Sequence, residues 1–348
     1  MSLKGIILII DPVGACMLRS VLAAVLILFS AVSVAQTVTV YSYRQPFLVE
    51  PMLEMFTEET GIKTQVVFAQ TGLEERLRRE GRLSPADVVL TTDISRLATL
   101  VDMGLTQPVQ SDVLSANIPS QYRAPDNHWF ALTLRTRNVY SSMARIGAAE
   151  LRYEDLATPA FKGKICMRSG KNAYNVALIA SMIAHHGEAK TKQWLEGVKA
   201  NLARKPQGND RAQITAVAEG VCDYAIGNSY YYGKMLEDPK QAGWAEQVVI
   251  NFPNQADRGA HINVSGAVMA KHAKNAAGGQ ALIEFLSGQK AQQVYAELNA
   301  EYPVHPEVAP SEMVASWGAF KADVLPVYQL SEHHAQAMKL LDEVRFDL

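Results

Sequence analysis

In the first third of the chain, segments with the apolar pattern of a β-strand alternate with segments that have the apolar period of a helix. Short apolar or alternating runs predict strands, and the segments after them repeat apolar residues with the period of an amphipathic helix. Strands are predicted at 37–42, 62–69 and 86–90, and helices at 49–59, 71–81 and 93–103. Three strand–helix units in succession are typical of a parallel sheet covered by helices, so we predict an α/β fold.

Two local signals indicate where helices of this region begin. Thr71 and Glu74 have the spacing of a capping box, in which two side chains satisfy backbone N–H groups at a helix start. Asp93 is expected to cap the next helix, which ends before Gly104. Both signals agree with the predicted order of strands and helices.

The middle of the chain begins a second set of such units after an extended segment at 129–141. Strands are predicted at 163–168, 222–226 and 247–252, and helices at 174–185, 188–202 and 209–219. A strand at 260–269 is followed by helices at 278–286, 290–298 and 332–344. Two α/β sets joined by extended segments predict two lobes around a cleft.

The pattern of residues 1–35 is typical of a secretory signal peptide. Arg19 precedes an apolar run at 21–29, and Ser33-Val34-Ala35 has the small residues of a cleavage site. The run is too short to span a bilayer comfortably, which disfavours a membrane anchor. We therefore expect export to a bacterial periplasm, with the mature chain starting at Gln36.

The translation start is open between two methionines. Met17 stands where such a signal peptide usually begins, so residues 1–16 would be an extension if translation starts there. Cys16 precedes the apolar run instead of following it, which disfavours a lipid-attachment cysteine. Neither observation chooses between Met1 and Met17.

Length, charge and motifs narrow the classes of function. With 348 residues, 48% of them apolar, the chain can bury one or two substantial cores, and its length suggests two domains. Its formal net charge of -2 gives no indication of a nucleic-acid partner. The sequence contains no nucleophile elbow, phosphate-binding loop or His-Glu-x-x-His motif, so we expect no enzyme activity. The same architecture also serves enzymes, and turnover of a substrate would reopen that alternative.

Cys166 and Cys222 are the two cysteines of the expected mature chain. An exported protein meets an oxidising compartment, and both cysteines lie near predicted strands of the same region, so a disulfide is one interpretation. Two buried free thiols are the other, and the sequence leaves both open.

Three polar clusters follow predicted strands, where open α/β sheets bind their ligands. Tyr43-Arg44-Gln45 follows the first strand, Tyr174 lies just after the strand at 163–168, and Tyr230-Tyr231-Tyr232 follows the strand at 222–226. Adjacent phenols at a strand-to-helix turn can point to one place above the sheet edge. Phenolate oxygen is a hard anionic donor that suits cations of high charge. For the tyrosine run alone, an interfacial aromatic patch is the alternative.

Five segments together indicate a family. They are Val40–Pro46, Ser84–Val88, Arg168–Asn175, Arg204–Asp210 and Gly227–Gly233. These segments resemble the periplasmic ferric-iron-binding proteins, the bacterial "transferrins" that are substrate-binding components of ABC iron importers. The resemblance covers essentially the whole mature chain, and its tyrosine motifs are specific.

The resemblance implies a type II periplasmic binding protein fold, with two α/β lobes around a cleft and crossover strands as a hinge. Residues 36–133 and 266–348 would form the first lobe, and residues 134–265 the second, which carries the tyrosines. An inner-membrane permease and its ATPase are the implied partners of a monomeric protein. The expected function is Fe(III) binding for import, and the alternative is a same-fold importer component for another small anion or a polyamine.

The resemblance also implies roles for individual residues. Fe(III) ligands are expected at Tyr174, Tyr230 and Tyr231, and anion-binding groups at Arg44, Gln45 and Arg135. Some relatives have His-Tyr directly after the arginine, where this chain has Gln45-Pro46. In that respect the chain is similar to the subgroup in which carbonate or bicarbonate completes the coordination. Tyr232 is expected to support the ligands and not to bind the metal.

The remaining aromatic and histidine residues have ordinary interpretations. Tyr41 and Tyr43 are expected to pack at the first strand, where tyrosines are common. The adjacent pairs His185-His186 and His333-His334 lie near predicted helix ends and are expected to be solvated.

Overall fold

The computed structural model describes residues 37–348. The predicted signal peptide, the candidate start at Met17 and Cys16 lie outside the described residues. Within residues 37–348, no helix combines the length and the apolar character that spanning a bilayer requires.

The described chain contains a mixed β-sheet. The strands are β1 (Thr37–Ser42), β2 (Lys63–Phe68), β3 (Val88–Thr91), β4 (Thr106–Gln107), β5 (Phe130–Ser142), β6 (Ile165–Cys166), β7 (Tyr224–Asn228), β8 (Val248–Asn251), β9 (Ile262–Ala270) and β10 (Tyr302–Pro303). Their order is β2-β1-β3-β9-β5-β7-β6, with β4 on β9 and with β8 and β10 on β5. The predicted parallel pairing is confirmed for β1 with β2 and β3, and for β6 with β7, whereas β5 and β9 run antiparallel to their neighbours.

Helices cover the sheet, as expected for an α/β fold. They are α1 (Glu50–Thr60), α2 (Leu73–Glu80), α3 (Ile94–Asp102), α4 (Asp112–Asn117), α5 (Ala173–Ala200), α6 (Asp210–Ala218), α7 (Ser229–Glu237), α8 (Ala242–Ala245), α9 (Ala276–Ser287), α10 (Gln289–Asn299), α11 (Glu312–Ser316), α12 (Gln329–Glu332) and α13 (His334–Glu343). Short 3-10 helices lie at Pro46–Leu48, Gly81–Leu83, Ser120–Tyr122, Tyr153–Ala157 and Pro159–Phe161. The prediction of an α/β protein is therefore confirmed.

Strand β5 connects the two ends of the sheet, and all of its residues are buried. Its first part, Phe130–Thr136, pairs with β9, and its second part, Arg137–Ser142, pairs with β7 and β8. Residues 37–348 form one compact unit. The division into lobes at 133/134 and 265/266 stays a prediction.

Local sequence signals explain several helix ends. Helix α1 buries Met52, Leu53 and Phe56 and ends at Gly61, whose φ of 71° is a left-handed conformation that glycine adopts readily. Asp93 caps α3 as predicted, because its carboxylate accepts a hydrogen bond from the backbone N–H of residue 96.

The capping box predicted at Thr71 and Glu74 is wrong. Helix α2 begins at Leu73, after Gly72, and has no local side-chain cap. Instead, the Tyr43 hydroxyl oxygen accepts hydrogen bonds from the backbone N–H groups of Leu73 at 2.8 Å and Glu74 at 3.2 Å. A side chain that lies beyond the end of β1 therefore satisfies the first turn of α2.

The strand predicted at 163–168 is shorter than expected. Only Ile165 and Cys166 pair with β7. The chain then leaves the sheet, since the carbonyl of Met167 accepts a hydrogen bond from Gln207 and the Arg168 guanidinium contacts Asp210. The helices predicted on either side of residue 187 form the single element α5, which Gly187 interrupts with non-helical dihedral angles.

A disulfide joins Cys166 and Cys222, so the free-thiol alternative is wrong. Cys166 ends β6, and Cys222 lies just before β7. The bond therefore connects the two neighbouring parallel strands whose carboxyl ends lead to Arg168 and Tyr230.

Candidate metal centre

A cleft of about 810 Å³ lies beyond the carboxyl ends of β1 and β7. Its lining includes all the residues predicted to bind iron or an anion, namely Arg44, Gln45, Arg135, Tyr174, Tyr230 and Tyr231. The position agrees with the rule that open α/β sheets bind ligands beyond the carboxyl ends of their strands. The structure thus brings these six side chains to one cavity from distant parts of the sequence.

Tyr174 and Tyr230 lie in the first turns of two helices. The Asn172 side chain accepts a hydrogen bond from the backbone N–H of Tyr174 at 3.1 Å and starts α5. Tyr230 is the second residue of α7, which follows β7 directly. The Tyr230 hydroxyl donates to the Tyr174 hydroxyl at 3.2 Å. That separation fits two oxygen ligands in neighbouring positions around one metal ion, with metal–oxygen bonds of about 2 Å.

The other two tyrosines of the run point in different directions. The Tyr231 ring lies beside the Tyr230 ring, with 4.3 Å between centroids, and Tyr231 lines the cleft. The Tyr232 hydroxyl donates to the carbonyl of Val248 at 3.2 Å, and its ring packs edge-on against Trp317. Since successive helical residues are rotated by about 100°, a run of three cannot present all of its phenols to one point.

The environment of Tyr174 and Tyr230 keeps both phenols protonated in the absence of a cation. Burial raises the pKa of Tyr174 to about 12, the neighbouring Tyr231 adds to this, and the Arg135 guanidinium opposes it. Burial also raises the pKa of Tyr230 well above its ordinary value. A metal ion that binds these oxygens must displace their protons, while the positive ends of α5 and α7 favour the resulting phenolates.

A buried ionic network lies next to Tyr174. Asp210 is fully buried and accepts hydrogen bonds from Nη1 of Arg137 and Nη1 of Arg168, each at 2.5 Å. The guanidinium carbons of Arg137 and Arg168 are 5.9 and 5.7 Å from the centre of the Tyr174 ring. Because two cations share one carboxylate, a positive charge remains beside the phenol and favours its ionised form.

A second ionic network holds the predicted anion-binding arginines. Glu301 Oε2 accepts a hydrogen bond from Arg44 Nη2 at 2.6 Å, and Oε1 lies 3.4 Å from Arg135 Nη1. Both arginines also donate to Ser265 Oγ, at 2.5 Å from Arg44 and 2.6 Å from Arg135. Burial alone would lower the pKa of Arg44, but the Glu301 carboxylate raises it. The Arg44 guanidinium therefore stays charged.

Gln45 differs from the two arginines in its surroundings. Gln45 is exposed, and its backbone carbonyl accepts a hydrogen bond from the backbone N–H of Leu48 in the short 3-10 helix that follows. The side chain lies at the cleft without a hydrogen bond to any other side chain of residues 37–348. Its amide is therefore available to a molecule in the cleft.

The cleft has a strongly positive lining. Among residues 37–348, the side chains that line it include one carboxylate, Glu301, and six basic groups. The basic residues are Arg44, Arg96, Arg135, Arg168, Arg211 and Lys234. Such a lining favours a ligand that carries negative charge, or a cation that arrives with anions.

Several residues of the site were not assigned by the sequence analysis. Arg168 and Asp210 lie in segments that carry the family resemblance, and Arg168 follows a strand as the tyrosines do, so a signal was present. Glu301 lies between α10 and β10, and nothing in the local pattern indicates that it contacts Arg44, 257 residues away.

The adjacent histidines have partners of their own. His185 Nε2 lies 2.7 Å from Asp323 Oδ2, and His186 Nε2 lies 2.7 Å from Glu154 Oε1. Each ring thus contacts a carboxylate, whereas the sequence predicted simple solvation. Within residues 37–348, no group of three or more His, Cys, Asp or Glu side chains could hold a metal ion.

Comparison with known proteins gives a consistent result along the chain. Residues 84–319 match the family of bacterial extracellular solute-binding proteins. Iron uptake protein A1 of Synechocystis sp. is 42% identical over 312 residues, which are 88% of this chain and 87% of that protein.

Two solved structures are similar in fold. Ferric iron-binding protein A of Mannheimia haemolytica, in an open conformation, is 55% identical with a TM-score of 0.88, over 90% of this chain and 100% of that one. A Trichodesmium protein in complex with iron and citrate ligands is 37% identical with a TM-score of 0.86, over 88% and 99%. The predicted periplasmic binding protein fold and the resemblance to ferric-iron-binding proteins are confirmed. The chain belongs to the family of bacterial extracellular solute-binding proteins.

Proposed function

We propose that this protein binds Fe(III) in the periplasm as the substrate-binding component of an ABC iron importer. The observation that carries the proposal is the 3.2 Å approach of the Tyr174 and Tyr230 hydroxyl oxygens in a cleft that Tyr231 also lines. The names of similar proteins, iron uptake protein A1 and ferric iron-binding protein A, support it.

The charges of the cleft agree with iron that is bound together with an anion. Three phenolates neutralise Fe(III) formally, so the excess of basic side chains remains to attract a further anion. The same excess repels a polyamine, which counts against that alternative. A small anion without iron is the remaining alternative, and it gives no reason for phenols to meet in the cleft.

Arg44, Gln45 and Arg135 are the proposed anion-binding residues. The Arg44 guanidinium makes its hydrogen bonds to other described residues through Nη2. The Nη1 and Nε groups of Arg44 can therefore donate to carbonate or bicarbonate. A guanidinium offers a planar fork of donors that matches an oxyanion, and the Gln45 amide can add a further hydrogen bond.

Iron and anion together would connect the two proposed lobes. The tyrosines belong to the proposed second lobe and Arg44 with Gln45 to the first, so the complex contacts both. Closure around a ligand is the usual motion of periplasmic binding proteins, and it requires contacts that exist only in the closed form. A permease and its ATPase are the proposed partners of the closed form.

The proposal is tested by visible absorption spectroscopy of residues 36–348 with Fe(III), with and without bicarbonate. We expect a tyrosinate-to-iron charge-transfer band that Tyr230→Phe and Tyr231→Phe each weaken or abolish. Tyr232→Phe is the matched control, since it removes a neighbouring hydroxyl that donates to Val248 and lies outside the cleft lining. No band in the wild type, or equal loss in all three variants, would contradict the phenolate site.

The anion role has a separate test. Arg44→Ala removes a charge-assisted hydrogen-bond donor. We therefore expect the variant to need about tenfold more bicarbonate, or more, to produce the same change in the band. The band itself should partly survive. An unchanged bicarbonate dependence would show that Arg44 does not hold the anion.

A further inference from the structure

Residues 168–172 form the turn that connects β6 to α5 and leads to Tyr174. Within the turn, the Ser169 carbonyl accepts a hydrogen bond from the backbone N–H of Asn172 at 3.1 Å. On its inner side, Asn175 Nδ2 donates to the first two carbonyls of the turn, at 3.2 and 2.9 Å. Tyr174 is the second residue of α5, so the position of its phenol depends on where this turn starts the helix.

Asp347 holds the outer side of the turn. Its Oδ1 accepts a hydrogen bond from the backbone N–H of Gly170 at 2.7 Å, and its Oδ2 accepts one from the Ser169 hydroxyl, also at 2.7 Å. The Ser169 oxygen in turn accepts a hydrogen bond from the backbone N–H of Lys171 at 3.2 Å. Asp347 is half-buried and is not among the residues that line the cleft. Its carboxylate therefore acts on the turn and not on a ligand.

The chain reverses direction after α13 to reach the turn. Arg345 has a left-handed φ of 48°, which is uncommon for a residue with a side chain, and its carbonyl accepts a hydrogen bond from Lys199 Nζ of α5 at 2.6 Å. The backbone N–H of Phe346 then donates to the carbonyl of Leu341 at 3.1 Å. A Cβ atom on the buried Gly170 would lie 2.5 Å from the Leu341 side chain and 2.8 Å from the Phe346 ring. The two segments are thus packed tightly together, which fixes the carboxylate that follows.

We propose that Asp347 is a positioning residue for metal binding, which fixes the turn at Ser169 and Gly170 and so places the Tyr174 phenol beside Tyr230. The inference rests on the proposed function, since it concerns a proposed Fe(III) ligand. The Tyr174 and Tyr230 hydroxyl oxygens are 3.2 Å apart, and a shift of the turn changes that spacing. Groups that orient a metal ligand typically contribute about 10- to 100-fold to metal affinity.

The test measures the Fe(III) affinity of residues 36–348 by competition with nitrilotriacetate, followed by the iron–tyrosinate band. Asp342→Ala is the matched control, because the Asp342 carboxylate contacts the same turn through Lys171 Nζ at 2.5 Å, with side chains that are 63% and 48% exposed. Asp347→Ala should weaken Fe(III) binding about tenfold. Asp347→Asn should stay within about threefold of the wild type, because its amide can still accept from Gly170 and donate to Ser169. The control should stay within the same range.

A second comparison separates positioning from a general loss of stability. Circular dichroism checks that each variant is folded at the assay temperature, and a lower overall stability leaves the affinity of folded molecules unchanged. In Tyr174→Phe the ligand that Asp347 positions is absent, so adding Asp347→Ala should change Fe(III) affinity less than about threefold. Ser169→Ala, which removes one of the two hydrogen bonds to the carboxylate, is a milder variant with the same expected pattern.

Two results would overturn the assignment. One is an Asp347→Ala variant that binds Fe(III) as tightly as Asp342→Ala, and the other is the same loss of affinity with and without the Tyr174 hydroxyl. A wild type without an iron–tyrosinate band refutes the proposed function instead. Amide hydrogen exchange of residues 169–175 in the iron-free protein then decides the role of Asp347. Faster exchange in Asp347→Ala than in Asp342→Ala supports it, and equal exchange overturns it.

Discussion

Replacing Asp210 by asparagine tests the network that supports the tyrosine side of the cleft. The side chains have nearly the same shape, so the substitution removes charge and leaves packing almost unchanged. Asp210 is fully buried and is the carboxylate partner of both Arg137 and Arg168 at 2.5 Å. In the variant, the amide offers one acceptor oxygen, and both guanidiniums lose their counter-charge.

The expected cost follows from the burial of each partner. Removing one member of a buried ion pair costs about 3–5 kcal/mol, because the other charge stays buried. Arg137 retains hydrogen bonds to Asn228 and Asn175, and the Arg168 side chain is 17% exposed, so water can solvate it. We therefore expect a loss of about 3 kcal/mol in the free energy of unfolding, which lowers the melting temperature by about 5 °C for a domain of this length.

The assay is thermal and urea unfolding of the iron-free protein, followed by circular dichroism. Asp223→Asn is the control, because the Asp223 carboxylate pairs with Arg145 at 2.7 Å while both side chains are partly exposed, at 25% and 39%. Such a surface pair contributes less than about 1 kcal/mol. If Asp210→Asn cost no more than Asp223→Asn, the carboxylate would not be needed to hold the two arginines.

Three further predictions concern other parts of the molecule. Replacing Cys166 and Cys222 by alanine should lower the free energy of unfolding in urea by about 4 kcal/mol, as reduction of the wild type should, because the disulfide closes a long loop. Burial raises the pKa of Tyr174 to about 12. Tyr174→Phe should therefore remove a phenol that ionises at high pH in alkaline difference spectra. The wild type should lose the stability linked to this pKa as pH rises from about 10 to about 12. Burial alone would raise the pKa of Glu154, but hydrogen bonds and the Arg258 guanidinium lower it to about 2. The wild type should therefore lose stability as pH falls from about 4.5 to about 2. In Glu154→Gln, this part of the loss of stability should be absent.

Hydrophobic periodicity was sufficient to predict most of the fold. The buried face of α1 and the strands β1 to β3 follow from patterns that lie within a few residues of one another. The placement of Tyr174 and Tyr230 in the segments that follow β6 and β7 was also predictable, since such sheets bind ligands beyond the carboxyl ends of their strands.

Contacts between distant residues could not be predicted in this way. The Tyr43 hydroxyl, and not the Thr71 side chain, accepts the hydrogen bonds at the start of α2. Folding brings Tyr43 to this position, so the local sequence around Thr71 gives no sign of it. Glu301 reaches Arg44 across 257 residues, and a single glutamate in a loop has no periodic or spacing signal. The short extent of β6 was not indicated by the local pattern either, since Arg168 contacts Asp210 and does not pair with β7.

The disulfide has a practical consequence for following ligand binding. Cys166 and Cys222, the cysteines of the described chain, are both consumed by that bond, and Cys16 precedes the expected mature start. In a protein of residues 36–348, a cysteine introduced in place of Phe47, which lines the cleft and is 63% exposed, would be the single site for a thiol-reactive fluorophore. The protein is thus already suited to conversion into an optical biosensor by one substitution.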